Sequence, residues 1–102
     1  MFTILHLTLH REYFDQIAQG IKVVEYRENK PYWFSRLVKS SGIAIIMRDF
    51  NEIHFKNGYN KGCPFMRVEY IETDYKNGRF EIKLGKVLEI RNWNGPATKK
   101  GL

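Results

Sequence analysis

The sequence predicts an α+β fold, a small mixed β-barrel with two helices packed outside it. Three observations carry that expectation. Strand-like and helix-like patterns alternate through the first half of the chain, and strand patterns alone fill the second. The last two strands flank Asn77-Gly78, the strongest short hairpin signal. Each arm of that hairpin would run roughly 40 Å if straight, which is long for a 102-residue domain. The strands must therefore bend and the sheet must curl.

Taken in order, residues 2–9 (FTILHLTL) are bulky and β-branched and predict a buried strand. His10 to Gln19 predicts a helix with Phe14, Ile17 and Ala18 on one face, ended by Gly20 as a C′ glycine. Residues 22–28 (KVVEYRE) return to strand, with Val24 and Tyr26 expected on the core face and Glu25 and Arg27 on the opposite one. Asn29-Lys30-Pro31 starts a second helix, in which Trp33, Phe34, Leu37 and Val38 recur before Ser40-Ser41-Gly42 stops it. Ile43 to Met47 is an unbroken apolar run, expected as a central strand buried on both faces. Glu52 to Lys56 alternates as a strand, and residues 57–64 (NGYNKGCP) form a loop. The strands 65–76 and 79–90 follow. A two-residue turn pairs Tyr75 with Phe80, Thr73 with Ile82 and Ile71 with Leu84, and places Gly85 opposite Tyr70 at a bend. Residues 1–93 are expected as one domain and residues 94–102 as a flexible tail.

Composition excludes several classes. With 43% hydrophobic residues and fifteen aromatics (two Trp, six Tyr, seven Phe), the chain can build a core without staples, which argues against disorder and against a disulfide scaffold. Cys63 is the single cysteine, so no intrachain disulfide forms and a reducing cytoplasm is the expected location. The longest uncharged run, Met1 to His10, is too short for a bilayer and lacks the features of a signal peptide, so no membrane partner is expected. The formal charge is +6, with seven basic against five acidic residues over 1–51 and ten against six over 52–102. That excess is the electrostatic footprint of a domain that meets phosphate. Because no polybasic run is present and the densest point is Lys99-Lys100, a phosphate-binding patch must be assembled by the fold.

Two constellations can carry chemistry. In Gly20-Ile21-Lys22-Val23-Val24-Glu25-Tyr26-Arg27, two cations flank one carboxylate, an arrangement that grips a polar or anionic ligand. Lys22 and Glu25 are the best candidates for catalysis. On spacing alone the same residues also describe an exposed salt bridge worth under about 1 kcal/mol. In the second, Lys56 and Lys61 bracket Tyr59, combining phosphate attraction with base stacking, while His54 and Asn57 add polar groups. A turn using Asn57-Gly58, with Tyr59 packed back on the barrel, fits that spacing too. Cys63 before Pro64 reads as a small packed residue rather than a nucleophile activated by His54. His6 and His10 fall on a strand and a helix start, so no metal site is expected, and no cofactor-binding loop is present.

The segment EYFDQIAQGIKVVEYR resembles the opening of an ASCH domain, in the PUA-like superfamily, where a helix ending in Gly precedes a G-x-K-x-x-E-x-R signature. Gly20, Lys22, Glu25 and Arg27 match it position by position. IHFKNGYNKGCPFMRVE is similar to the second family motif, I-x-F-x-N-G-Y, matched by Ile53, Phe55, Asn57, Gly58 and Tyr59. The resemblance spans about residues 5–90. It implies a PUA-like barrel with a cleft lined by the signature residues, and RNA, a nucleoside or a nucleotide as partner. The ligand-binding set expected from the two constellations together is Lys22, Glu25, Arg27, His54, Lys56, Asn57, Tyr59 and Lys61, and a monomer is favoured. Some small family members hydrolyse N4-acetylcytidine with a Lys, a Thr nucleophile and a Glu. Lys22 corresponds to that lysine, but Glu25 stands at the threonine position. A small hydrolase acting on a modified nucleoside or on RNA is therefore the alternative to a binding module.

Overall fold

In a computed structural model, described over residues 1–40 and 42–97, nine elements follow one another. They are β1 (Ile4–Thr8), α1 (Arg11–Ala18), β2 (Val24–Glu28), α2 (Pro31–Leu37), β3 (Val38–Ser40), β4 (Ile46–Met47), β5 (Glu52–Lys56), β6 (Phe65–Lys76) and β7 (Arg79–Arg91). Five strands form one curled sheet in the order β1-β5-β6-β7-β2, with β1 parallel to β5 and every other pair antiparallel. The α+β class stands, but the barrel does not close. Among the described residues β1 and β2 are the two edges of the sheet and share no ladder, so the molecule is a half-barrel with a seam, an arrangement compatible with a PUA-like fold.

The run 43–47 explains part of that opening. It is not a central strand: only Ile46 and Met47 pair, and they pair with β3 in a separate two-stranded sheet. Ile43 is fully exposed and Ile46 is 53% exposed. A short apolar run has no period that tells a buried strand from a surface one, and here it never joins the main sheet.

The core fills the concave face. Leu5 and Leu7 of β1, Ile53 and Phe55 of β5, Met66 and Val68 of β6, and Phe80, Ile82 and Leu84 of β7 alternate inward and meet Phe14 and Ile17 of α1 and Leu37 of α2. Helix α1 ends as its glycine predicts. Gly20 takes φ +77°, its N–H donates to the Ile17 carbonyl at 3.0 Å, and the Ile21 N–H donates to the Gln16 carbonyl at 2.9 Å. This paired closure, with glycine in the left-handed conformation, turns the chain sharply and delivers Lys22 to the mouth of β2.

Hairpin β6–β7 turns at Asn77 and Gly78, both at positive φ, and pairs Tyr75 with Phe80 and Thr73 with Ile82 as expected. The register then breaks one residue early. Tyr70 pairs with Leu84 and Glu72 with Lys83, which leaves Ile71 out of the ladder and 58% exposed. The bend is real, but Gly85 faces Glu69 rather than pairing with Tyr70. A Cβ on Gly85 would sit 2.9 Å from the Glu69 Cβ, and the Glu69 carboxylate closes the irregularity by accepting from the Lys86 N–H at 2.9 Å. Gly85→Ala is expected to destabilise the fold by about 1–2 kcal/mol, because the obstructing atom belongs to the root of a side chain and cannot swing aside. Thermal unfolding should show a melting temperature lower by roughly 5–10 °C.

The stretch expected as a tail, 94–102, begins with contacts to α1. The Gly95 carbonyl accepts from Arg11 Nη2 at 2.9 Å, and the Ala97 N–H donates to Asp15 Oδ2 at 2.8 Å. Residues 98–102, including Lys99 and Lys100, lie outside the described residues.

Candidate functional site

The seam between the β1 and β2 edges opens into a cleft of about 610 Å³, well within the size range of small-ligand sites. Lys22, Glu25 and Arg27 line it, with Tyr13, Tyr26, Tyr32, Trp33 and Tyr59 among its walls and Thr8 and His10 on the β1 side.

Strand β2 is turned the opposite way from the sequence expectation. Glu25 pairs with Ile82 and Arg27 with Phe80, and directly opposed residues point to the same face. Glu25 and Arg27 therefore share the concave face with two fully buried core residues, while Tyr26 points outward and is 40% exposed. The two signature side chains do fall on one face, as their spacing requires, but that face looks inward. An ion cluster, not an apolar side chain, occupies the inner face of the edge strand.

Glu25 is only 4% exposed and is held from both sides. Its Oε1 lies 3.2 Å from Lys22 Nζ, and its Oε2 accepts from Arg27 Nη1. Arg27 also spans the seam, donating from Nη2 to the Thr8 carbonyl at 3.2 Å, so one side chain ties the two unpaired edges together. Each cation is backed by an aromatic ring. Lys22 Nζ sits 5.0 Å from the Tyr26 centroid and 5.4 Å from that of Tyr13, and the Arg27 guanidinium lies 5.0 Å from Trp33. Arg79 covers Tyr26 at 4.0 Å. The centre carries a net positive charge, since one carboxylate faces two cations.

The four second-constellation residues other than Tyr59 lie apart from this cleft. Tyr59 is 88% exposed at its rim. Asn57 is engaged in the backbone: its Nδ2 donates to the Leu9 carbonyl at 2.9 Å and its N–H to the Pro64 carbonyl at 3.0 Å, fixing the loop on which Tyr59 stands. His54 lies on the convex face and pairs with Glu52 Oε1 at 3.0 Å, with its ring edge-on to His6 and Phe65. Arg67 joins Glu52 and Glu89 in the same network, and its hydrogen bonds hold both carboxyls below their usual range. Lys56 and Lys61 are exposed. Cys63 Sγ is 3.7 Å from the Gly58 carbonyl. Among the described residues no group of three or more His, Cys, Asp or Glu is placed to hold a metal ion, and no helix is long and apolar enough to cross a membrane.

The aromatic walls from the helices were not singled out as site residues by sequence reasoning. Tyr13 neighbours the core residue Phe14 in α1, and Trp33 recurs with Phe34, Leu37 and Val38 at helical spacing and packs against the core. The available signal was the density of aromatics around the signature: Tyr13, Tyr26, Tyr32 and Trp33 all lie within eleven positions of Lys22.

Comparison with curated proteins and with solved structures gives no significant match. A family model for the ASCH domain matches residues 7–76. That span is well over half the chain and takes in both motifs, the cleft-forming strand β2 and both helices. On that match, the chain belongs to the ASCH domain family, within the PUA-like superfamily.

Proposed function

We propose that the protein binds RNA or a nucleotide, with one base in the seam cleft between the aromatic walls and with phosphate or base edge on Lys22 and Arg27. The observation that carries this reading is the pairing of cations with aromatic rings around a half-enclosed cleft. Rings offer stacking faces, worth about 1–3 kcal/mol per base, and the cations supply the attraction for the backbone. Tyr59, exposed at the rim, closes over the base in this reading. Family membership points to the same ligand class. Glu25 acts here chiefly as counterion and spacer: both its oxygens face cations, and without it two positive groups would be held side by side.

The test is a titration of fluorescein-labelled, mixed-sequence RNA ten-mers, read by anisotropy at several salt concentrations. Lys22→Ala combined with Arg27→Ala is expected to weaken binding on the order of 30-fold, equivalent to about 2 kcal/mol. No binding by the wild type at low salt, or binding unchanged in that double variant, overturns the reading.

Hydrolysis is the second reading, and the 3.2 Å contact of Lys22 with Glu25 inside one cleft is what favours it. Glu25 would then act as general base on a water and Lys22 would stabilise the oxyanion. Turnover of an acylated nucleoside that is lost in Glu25→Gln supports it; turnover that survives Glu25→Gln removes it.

A further inference from the structure

A second recess, of about 460 Å³, adjoins the first. Its lining includes Ser35 and Arg36 of α2, Arg48 and Phe50 from the segment before β5, and His6 of β1. His6 lines both recesses, so they adjoin at this residue. A second link runs along α2. Arg36 stands one turn beyond Tyr32, a wall of the first cleft, and its guanidinium stacks 4.3 Å from the Tyr32 centroid. Stacking of this kind fixes the plane of the guanidinium and leaves its N–H edge free to donate.

The charge pattern sets this recess apart. The chain has seven arginines. Five of them, Arg11, Arg27, Arg67, Arg79 and Arg91, have a carboxylate partner within 4.0 Å. Among the described residues Arg36 and Arg48 have none, and both line the second recess, which has no Asp or Glu in its lining. Their backbones are anchored. The Arg48 N–H donates to the Leu37 carbonyl at 2.8 Å, its carbonyl faces Tyr70 Oη at 3.4 Å, and Arg36 lies within α2. Two arginines lining one hollow that has no carboxylate in its lining make it suited to an anion with several oxygens. His6, in the lining of both recesses, has its pKa lowered, by desolvation first and then by the charges of His54 and Lys56.

We propose that the second recess is a phosphate subsite for the same strand whose base enters the first cleft. Arg36 and Arg48 hold a backbone phosphate adjoining the bound nucleoside, and the ligand is a single-stranded nucleic acid rather than a free nucleoside. This rests on the reading of the first cleft given above and extends it from one nucleotide to a strand with a path.

The probe is the same labelled RNA ten-mer. Arg36→Ala with Arg48→Ala is expected to lower affinity at least about tenfold at low salt. It should also make the slope of log K against log salt less negative by about 1.4, two charges at about 0.7 each for single strands. Lys76→Ala with Lys86→Ala, removing two exposed cations elsewhere, should change affinity by less than about threefold. Equal losses from the two pairs would show a general field effect and overturn the subsite. No loss from the arginine pair, with binding still broken by Lys22→Ala and Arg27→Ala, also overturns it while leaving the first-cleft reading intact. Loss from the arginine pair with none from Lys22→Ala and Arg27→Ala removes the first-cleft reading and with it the placement proposed here. A nucleoside monophosphate should compete far more weakly than the unlabelled ten-mer, because it reaches only one of the two recesses. Equal competition assigns the ligand to a single nucleotide and overturns the strand.

Discussion

Glu25→Gln is expected to cost about 3 kcal/mol of folding stability, a large effect for a substitution that barely changes shape. The carboxylate is buried between Lys22 and Arg27, with one oxygen to each. An amide in its place must turn its –NH2 toward one of the two cations, whichever way it is flipped. That cation then stays partly buried with a donor facing a donor. Removing one partner of a buried ion cluster is costly for this reason, typically about 3–5 kcal/mol. The open side of the cleft lets water reach the cations, which places the expected value at the low end. Urea denaturation should show a lower midpoint with little change in slope. Adding Lys22→Met to Glu25→Gln should recover part of the loss, since it removes a stranded charge. A coupling of about 1–2 kcal/mol between the two positions is the expected result, and strict additivity would argue against the cluster.

The second large effect concerns Asp15. Its side chain is nearly buried and collects three donors: Arg11 Nε at 2.7 Å and Trp93 Nε1 at 2.8 Å on Oδ1, and the Ala97 N–H at 2.8 Å on Oδ2. Asp15→Ala is expected to cost about 2–3 kcal/mol, since it leaves the Trp93 and Ala97 donors without their acceptor. The pH dependence has a definite sign. Burial raises the Asp15 pKa, but the bonds from Ala97, Trp93 and Arg11 outweigh it and hold the carboxyl below its ordinary range. The unfolded chain therefore takes up the proton first as pH falls. The stability that Asp15 contributes is fully present above its unfolded pKa and is lost progressively as pH drops through the folded one. Comparing urea midpoints at pH 7 and pH 4 should show a smaller acid loss in Asp15→Asn than in the wild type. An equal loss in both would mean that the acid sensitivity comes from the other carboxyls held low, Glu52, Asp74 and Glu89.

Much of the fold could be read from local chemistry. Gly20 closes α1 where its left-handed conformation is needed, and Asn77-Gly78 turns the hairpin in the predicted register as far as Thr73. The grouping of Lys22, Glu25 and Arg27 followed from strand spacing and family resemblance together. What could not be read was set by tertiary context. Alternation along β2 shows which residues share a face but not which face is inside. Val24 and Tyr26 were the apolar pair, yet the inward pair is Glu25 and Arg27, opposed to Ile82 and Phe80. A barrel edge that carries a charged site departs from the rule that apolar residues face in, and functional sites are where such departures are expected. The early register break at Ile71 depends on Gly85 and Glu69 packing across strands, which no single-strand pattern encodes.

The topology also orders the assembly of the cleft in time. Its two edges, β1 and β2, are among the first elements in the chain, yet each is seated on a partner from the second half: Thr8 lies beside Lys56, and Glu25 beside Ile82. The hairpin β6–β7 is the most local large pairing and the natural early scaffold, while the edges close over long loops and so come late. On a translating ribosome the signature residues would emerge well before the strands that hold them. Until β7 follows, the Lys22–Glu25–Arg27 cluster has no platform, and the nascent chain carries the densely charged β2 segment in water rather than against a core. The cleft residues precede in sequence the strands that hold them, and the cluster takes its shape only when the hairpin β6–β7 is in place.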